Sequence, residues 1–430
     1  MQEKTVPTWK VGNRINEVKY ADAFRIERPL IWTDGSFFDV NGRVHDEGAI
    51  RQRIFEDIRD YVTEKVHIKV DSMLHTLKMA CGSEKLPLQE DAIHVANGTY
   101  WLDEGFSPYK DICRFRLPVI FDPCLPNPAL WEAFLDELLE PEDILTLQEF
   151  MGYCLIPSTK GQKMLIITGR GGEGKSRIGY VMRGLLGNNM NVGSIAKLEA
   201  SPFARADLEH KLLMVDDDMK MGRLSSTNNI KTIITADQPI DLERKGLQSY
   251  QGMLYSRLMA FGNGVLRSTN DSSYGFFRRQ IILSTKPRPE NRRDNPYLGQ
   301  ALMKERDQIF LWCLTGLNRL RERDFHFTCS DRTRKNLTEA QAEGNPVATF
   351  LRSKGYLLYS PENYSSTRQL YNIYTDWSTD NSMTAISMEA FSHLMRQEAE
   401  SMELIFDYNI PVGNGKRARG YRGVTGAPRF

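Results

Sequence analysis

The chain has 430 residues, 41% hydrophobic and 26% charged, with a formal net charge of +1. This is the composition of a soluble globular protein with room for roughly two to four domains, and it excludes a global basic field, so any nucleic-acid contact must be local. Six cysteines at 81, 113, 124, 154, 313 and 329 form no C-x-x-C pair, the start MQEKTVPTWK lacks the apolar core of a signal peptide, and no run approaches a membrane span. In chain order, Leu30–Val40 reads as a hairpin turning at Asp34-Gly35. Ile50, Ile54, Phe55, Ile58 and Val62 recur at helical spacing over about 46–66, and a second helix is expected over 68–81. Ile93–Leu102 carries a second hairpin signal, Asn97-Gly98.

A Pro-rich join, Phe121–Pro128, precedes helices expected over 129–140 and 142–153, with Trp131, Phe134, Leu135 and Leu138 on one face. Met164–Thr168 is a short apolar run that reads as a buried strand. It runs directly into Gly169-Arg170-Gly171-Gly172-Glu173-Gly174-Lys175-Ser176, which matches the phosphate-binding pattern G-x-x-x-x-G-K-[ST] between a strand and a helix. Glycines let backbone N–H groups wrap phosphates, Lys175 reaches the terminal phosphates of ATP, and Ser176 is the expected Mg²⁺ ligand. From 160 to 285 apolar strands alternate with helical segments, which predicts an α/β core with a mostly parallel sheet.

Within that core, Leu212–Val215 is an apolar strand ending in Asp216, Asp217 and Asp218. Carboxylates at such a strand end suit Mg²⁺ and orientation of the attacking water. Strand geometry favours Asp216 and Asp217, on a strand expected beside the glycine loop. Leu258–Gly262 ends in Asn263, either a polariser of that water or a turn residue before Gly264. Arg278 and Arg279 open a last strand. They read as a solvated pair or as arginines facing a neighbouring subunit's nucleotide.

In this order the elements resemble the superfamily 3 helicases, in particular the helicase half of phage and plasmid primase-helicases. The similarity runs from about Ala96 to the C-terminus and includes Asn97-Gly98, Phe121-Asp122-Pro123, Trp131, Phe134-Leu135 and Gln148–Tyr153 ahead of the glycine loop. Between the Asp and Asn strands the family carries a hairpin that grips single-stranded DNA. Arg244 and Lys245, within Glu243–Gly246, match its basic tip. The resemblance implies an AAA+-like P-loop ATPase core, a hexameric ring, 3′→5′ travel and residence in a bacterial host's cytoplasm. No strand ends in Asp-x-Asp with a later His, so priming is expected of a separate partner.

Residues 323–345 are polar and read as a linker. Beyond it, apolar positions mark three short helices, and Leu404–Phe406 with Gly413-Asn414-Gly415 suggests a strand pair, an arrangement similar to a winged helix. Residues 416–430 carry Lys416, Arg417, Arg419, Arg422 and Arg429 and no acid, with Tyr421 among them. They read as a basic wing for duplex phosphates or as a solubilising tail. The expected domains are a mixed α/β N-terminal region (1–125), the ATPase domain (126–325), the linker (326–345) and the winged helix (346–430). The sequence thus predicts an α/β, ATP- and Mg²⁺-dependent DNA helicase. The alternatives are an ATP-switched origin-binding initiator and a small-molecule kinase, which would need neither basic element.

Overall fold

In the computed structural model, residues 7–428 are described apart from 13, 45, 220–222, 225, 269–273, 290–294, 382 and 414. The first apolar cluster is local. Helices α1 (Glu17–Glu27), α2 (Glu47–Ile58) and α3 (Val66–Ala80) bury Tyr20, Phe24, Ile50, Ile54, Ile58, Met73, Leu74 and Leu77. They pack on β1 (Ile31–Thr33) and β2 (Ser36–Asp39), extended by β3 (Gly42–Arg43). Asp34 (φ 48°) and Gly35 (φ 66°) supply the left-handed pair that a two-residue hairpin turn requires. The helix expected over 46–66 stops at Ile58, whose carbonyl accepts the Tyr61 and Val62 N–H groups in a turn.

The next hairpin, β4 (Ala92–Val95) and β5 (Gly98–Trp101) followed by β6 (Gly105–Ser107), turns at Ala96-Asn97 and not at Asn97-Gly98. The Asn97 amide instead brackets the backbone of Phe121, donating to its carbonyl at 2.9 Å and accepting from its N–H at 3.0 Å. Ile93, Val95, Leu117 and Val119 enter the core of the central sheet. By packing, then, this stretch is part of the sheet body, although the sequence grouped it with residues 1–91.

That sheet is formed by β7 (Met164–Thr168), β8 (Met190–Val192), β9 (Leu213–Met219), β12 (Arg257–Gly262) and β13 (Gln280–Ser284). Two short strands, β10 (Ile240–Leu242) and β11 (Tyr250–Gly252), form a separate antiparallel ribbon between β9 and β12 in the chain. The five strands are parallel in the order β8-β9-β12-β7-β13. Alternate residues feed two cores, as a sheet covered on both faces demands. Leu165, Ile167, Val215, Phe261 and Leu283 face α4 (Ala129–Leu138), α5 (Pro141–Tyr153), α6 (Ser176–Leu186) and α12 (Arg306–Glu322). Met164, Ile166, Met214, Ala260 and Ile282 face α7 (Ile195–Ala200), α8 (Pro202–Ala206), α9 (Asn228–Thr235) and α10 (Tyr274–Phe277), while α11 (Leu298–Lys304) joins the first core through Leu302. Helix α5 is buried along most of its length, and it meets α12 through glycines. A Cβ on Gly152 would strike the Cys313 carbonyl, and one on Gly316 the Gln148 carbonyl.

The stretch read as a linker contains helix α13 (Asp331–Gly344). It is bound to the sheet body. Arg332 donates to the Ser284 and Thr285 carbonyls, Asn336 donates to the Ile282 carbonyl at 2.9 Å, and Ala340 is buried in the second core. Ser330 and Thr333 both donate to the buried Asp143 of α5.

The C-terminal unit runs α14 (Pro346–Arg352), β14 (Leu357–Ser366), α15 (Thr367–Asp380), α16 (Met388–Ala399), β15 (Ile405–Pro411) and β16 (Arg417–Gly426). The three helices and the strand pair agree with the sequence; β14 was not expected. The antiparallel order is β14-β16-β15, so β16 is the central strand and residues 417–426 are not a tail. Tyr421 is fully buried in the core, which removes it from the candidate DNA contacts. Asn414 of the expected turn and Arg429 lie outside the described residues. Among the described residues no helix is long and apolar enough to cross a membrane.

Candidate functional site

The glycine loop leaves the C-terminal end of β7 and enters α6 at Ser176. Gly171, Gly172 and Gly174 have φ of 109°, 80° and 109°, values that an L side chain rarely adopts. Gly169 is fixed by crowding, since a Cβ there would strike Thr285 Oγ1 and come within 2.9 Å of Lys175 Nζ. The loop's N–H groups and Lys175 converge on an anion that the loop itself supplies. The Glu173 carboxylate accepts from the Gly171 N–H at 2.8 Å and from Lys175 Nζ at 2.8 Å. Burial pushes the Glu173 carboxyl up, but the hydrogen bonds and charge of Lys175 and the loop amides hold it below its ordinary value. Glu173 and Lys175 are both buried, whereas Arg170 and Ser176 are exposed.

Strand β9 does not lie beside β7. Strand β12 separates them and brings Asn263 next to the loop, with the Gly169 N–H donating to the Gly262 carbonyl at 3.1 Å. Between Asp216 and Met219 the β9–β12 register slips, with Asp216 opposite Ala260 and Met219 opposite Gly262. One extra residue is therefore accommodated at 217–218, and such a bulge re-aims side chains. Asp217 and Asp218 are both exposed and line a cleft of about 690 Å³ with Lys175, Ser176, Arg177 and Asn263. Asp216 does not line it. Its carboxylate accepts the Ile195 N–H at 2.8 Å at the start of α7. Burial raises the Asp216 pKa, and the neighbouring charges of Asp218 and Asp217 add to the rise. The pair that meets the loop is thus Asp217 and Asp218, not Asp216 and Asp217.

The remaining candidates are elsewhere. Arg278 and Arg279 precede β13, where Gln280 pairs with Met164, so they sit at the other end of the sheet from the glycine loop. Four strand steps separate the two ends, roughly 13 Å. Arg278 is exposed; the Arg279 guanidinium donates to the Gly275 carbonyl and is half-buried. Arg244 and Lys245 occupy the exposed turn of the β10–β11 ribbon, with Arg244 paired to Glu209 at 2.5 Å. Lys416, Arg417, Arg419 and Arg422 are exposed just before and along β16, and Arg422 is paired to Asp407 at 2.8 Å.

Asp218 was one of the three aspartates read at the strand end, and the bulge is what brings it to the cleft in place of Asp216. Two residues near the loop escaped the sequence. Arg288, at 3.5 Å from the Gly172 carbonyl, and Asn295, which lines the cleft, lie in irregular segments with no periodic signal. In the C-terminal unit a groove of about 1010 Å³ runs between the start of α16 and β16, lined by Arg368, Ser392, His393, Arg396 and Arg419. Of these residues the sequence had singled out Arg419 alone.

Known proteins share parts of this architecture. A family described as "Family of unknown function (DUF5906)" matches residues 167–279, from the penultimate residue of β7 to the residue before β13. No curated protein matches. Among solved structures, the apo structure of the NrS-1 C terminal region (305-718) aligns with a TM-score of 0.52 at 12% identity, over 96% of this chain and 100% of that one. An A form of the same region (305-718) gives 0.52 at 12%, covering 94% and 98%. Another A form gives 0.50 at 13%, covering 90% and 86%. At such identities the likeness is one of fold.

Proposed function

We propose that this chain is the subunit of an ATP-driven DNA helicase that serves replication of a phage or mobile element and works as a ring. One observation carries the reading. The glycine loop with Lys175 and Ser176, the acid pair Asp217/Asp218 and the amide of Asn263 open onto one cleft, at the C-terminal ends of adjacent parallel strands. That is where an α/β sheet binds ligands. The strand order, with the Asn strand between the acid strand and the loop strand, agrees with an AAA+-like ATPase core.

The chemistry follows from the side chains. ATP would exchange its terminal phosphates for the Glu173 carboxylate on Lys175 and the loop amides, so nucleotide entry replaces one anion by another. Asn263 would orient the attacking water from the neighbouring strand. The exposed hydroxyl of Ser176 and the carboxylates of Asp217 and Asp218 are hard oxygen donors on one cleft and fit Mg²⁺. Bound there, Mg²⁺ would supply charge neutralisation on the β- and γ-phosphate oxygens. Arg278 and Arg279 cannot reach their own cleft across the sheet, and a role for either requires a second copy of the chain. The basic ribbon turn at Arg244 and Lys245 would contact one DNA strand. Strand displacement on a forked duplex tests the reading: ATP-dependent unwinding supports it, and nucleotide-controlled duplex binding without unwinding would favour an initiator.

The C-terminal unit, taken as a winged helix, would dock duplex DNA. Removing residues from 416 onward would delete the central strand of its sheet and collapse it, so point substitutions are the sound probe. Lys416→Ala with Arg417→Ala and Arg419→Ala is expected to weaken duplex binding. The slope of log K against log salt should fall by about 0.9 for each phosphate that is no longer neutralised. Arg422→Ala should do less, because Asp407 already neutralises Arg422. An unchanged slope in the triple variant would remove the wing from the interface.

A further inference from the structure

The N-terminal cluster has no part in the chemistry above, yet it forms one wall of a second cleft. This cleft, of about 680 Å³, lies between the β1–β3 sheet and the β10–β11 ribbon and shares no residue with the candidate nucleotide cleft. Its two sides are docked by an edge-to-face contact of Phe38 on β2 with His210, ring centroids 5.9 Å apart, just ahead of β9. Five cations converge here from separate stretches of chain: Arg43 on β3, Lys85 after α3, Arg114 beyond β6, Lys211 before β9 and Arg244 on the ribbon. Two carboxylates answer them. Asp34 takes Lys85 at 3.2 Å and Arg114 at 3.0 Å, and Glu209 takes Arg244. Among the described residues no carboxylate lies within ion-pair distance of Arg43 or Lys211, whose ammonium donates to the Asn188 carbonyl. His210 is kept neutral by burial and by the Arg43 charge, with its pKa lowered to about 4, so it offsets nothing.

Like charges gathered in a half-buried cleft repel one another unless an anion compensates. Burial and the Arg244 charge both lower the Arg43 pKa, which is the signature of that strain. Phe115 and Tyr255 add aromatic surface between the cations. A basic groove with interleaved aromatics is what a single-stranded nucleic acid recognises, through phosphate contact and base stacking, without regard to sequence. We infer that this cleft binds the phosphodiester backbone of a single strand, with Arg43, Lys85, Arg114 and Lys211 of the N-terminal wall and the sheet body extending the contact begun by Arg244. The inference deepens the helicase reading by giving the N-terminal region a task, but it stands on charge and shape and needs no hydrolysis.

The test is fluorescence anisotropy of a labelled oligothymidylate with the full chain across a salt series. Lys85→Glu alters a side chain that is 80% exposed and leaves the core untouched. Arg43→Gln removes a charge that, among the described residues, no carboxylate pairs within ion-pair distance, although Glu209 acts on it from farther off. Each is expected to raise Kd by about tenfold or more and to lower the salt slope by about 0.7 per phosphate released from the protein, with thermal midpoints held near wild type. Lys85→Arg should bind as wild type does. Wild-type affinity and slope in both Lys85→Glu and Arg43→Gln would overturn the inference. Variants that bind normally in a protein that hydrolyses ATP would sink the cleft and leave the motor standing. A cleft-dependent strand complex in a protein without turnover would do the reverse.

Discussion

Lys175→Ala is expected to lower ATP hydrolysis by several orders of magnitude in a protein that stays folded. Lys175 provides the one ammonium inside the glycine loop, and charge stabilisation on the transferring phosphoryl group is the main catalytic contribution in this chemistry. The variant has a side effect that the sequence did not announce. Lys175 is buried against Glu173, so its loss takes from that carboxylate its ammonium partner and leaves it to backbone N–H groups of the loop. An under-satisfied buried group costs about 1–3 kcal/mol, enough to lower the thermal midpoint by several degrees. Lys175→Ala combined with Glu173→Gln should recover the midpoint and remain inactive. Phosphate release and thermal melting of the two variants separate the roles. Turnover near wild type in a folded Lys175→Ala protein would end the phosphate-loop assignment.

The second large effect concerns the far end of the sheet. Arg278 is exposed and lies at the far end of the sheet from its own cleft, whereas the Arg279 guanidinium is tied to the Gly275 carbonyl and half-buried. Arg278→Ala is therefore expected to cost about 10³-fold in turnover by removing a charge supplied in trans. Arg279→Ala should cost stability first. Mixing Arg278→Ala with Lys175→Ala subunits should restore part of the activity, because some interfaces then pair an intact loop with an intact arginine. ATPase assays on mixtures shown to co-assemble by native mass spectrometry give the answer. Co-assembled rings with no recovery would argue against a shared site.

Part of this architecture was open to the sequence and part was not, for physical reasons. Met164–Thr168 and Gly169–Ser176 were legible because a buried parallel strand must be continuously apolar and only glycines fit the loop's dihedral angles. Helices α4 and α5 were legible through their apolar spacing. Helix α13 was missed because it is held mainly by polar bonds, from Arg332 and Asn336 to the sheet and from Thr333 to Asp143 of α5, with Ala340 as its buried apolar residue. Strand β14 was missed because Leu357–Ser366 carries Pro361, Glu362 and Asn363 across a register break in its pairing with β16. The choice between Asp216 and Asp218 turned on a bulge, which strict alternation along a strand cannot reveal.

If one cleft hydrolyses ATP to move along DNA, ATP turnover of the purified wild-type chain with Mg²⁺ must respond to single-stranded DNA. Turnover that is detectable alone, rises when single-stranded DNA is added and disappears in Lys175→Ala is the result predicted. A folded protein with no magnesium-dependent turnover in either condition would mean that the cleft is not an ATPase site.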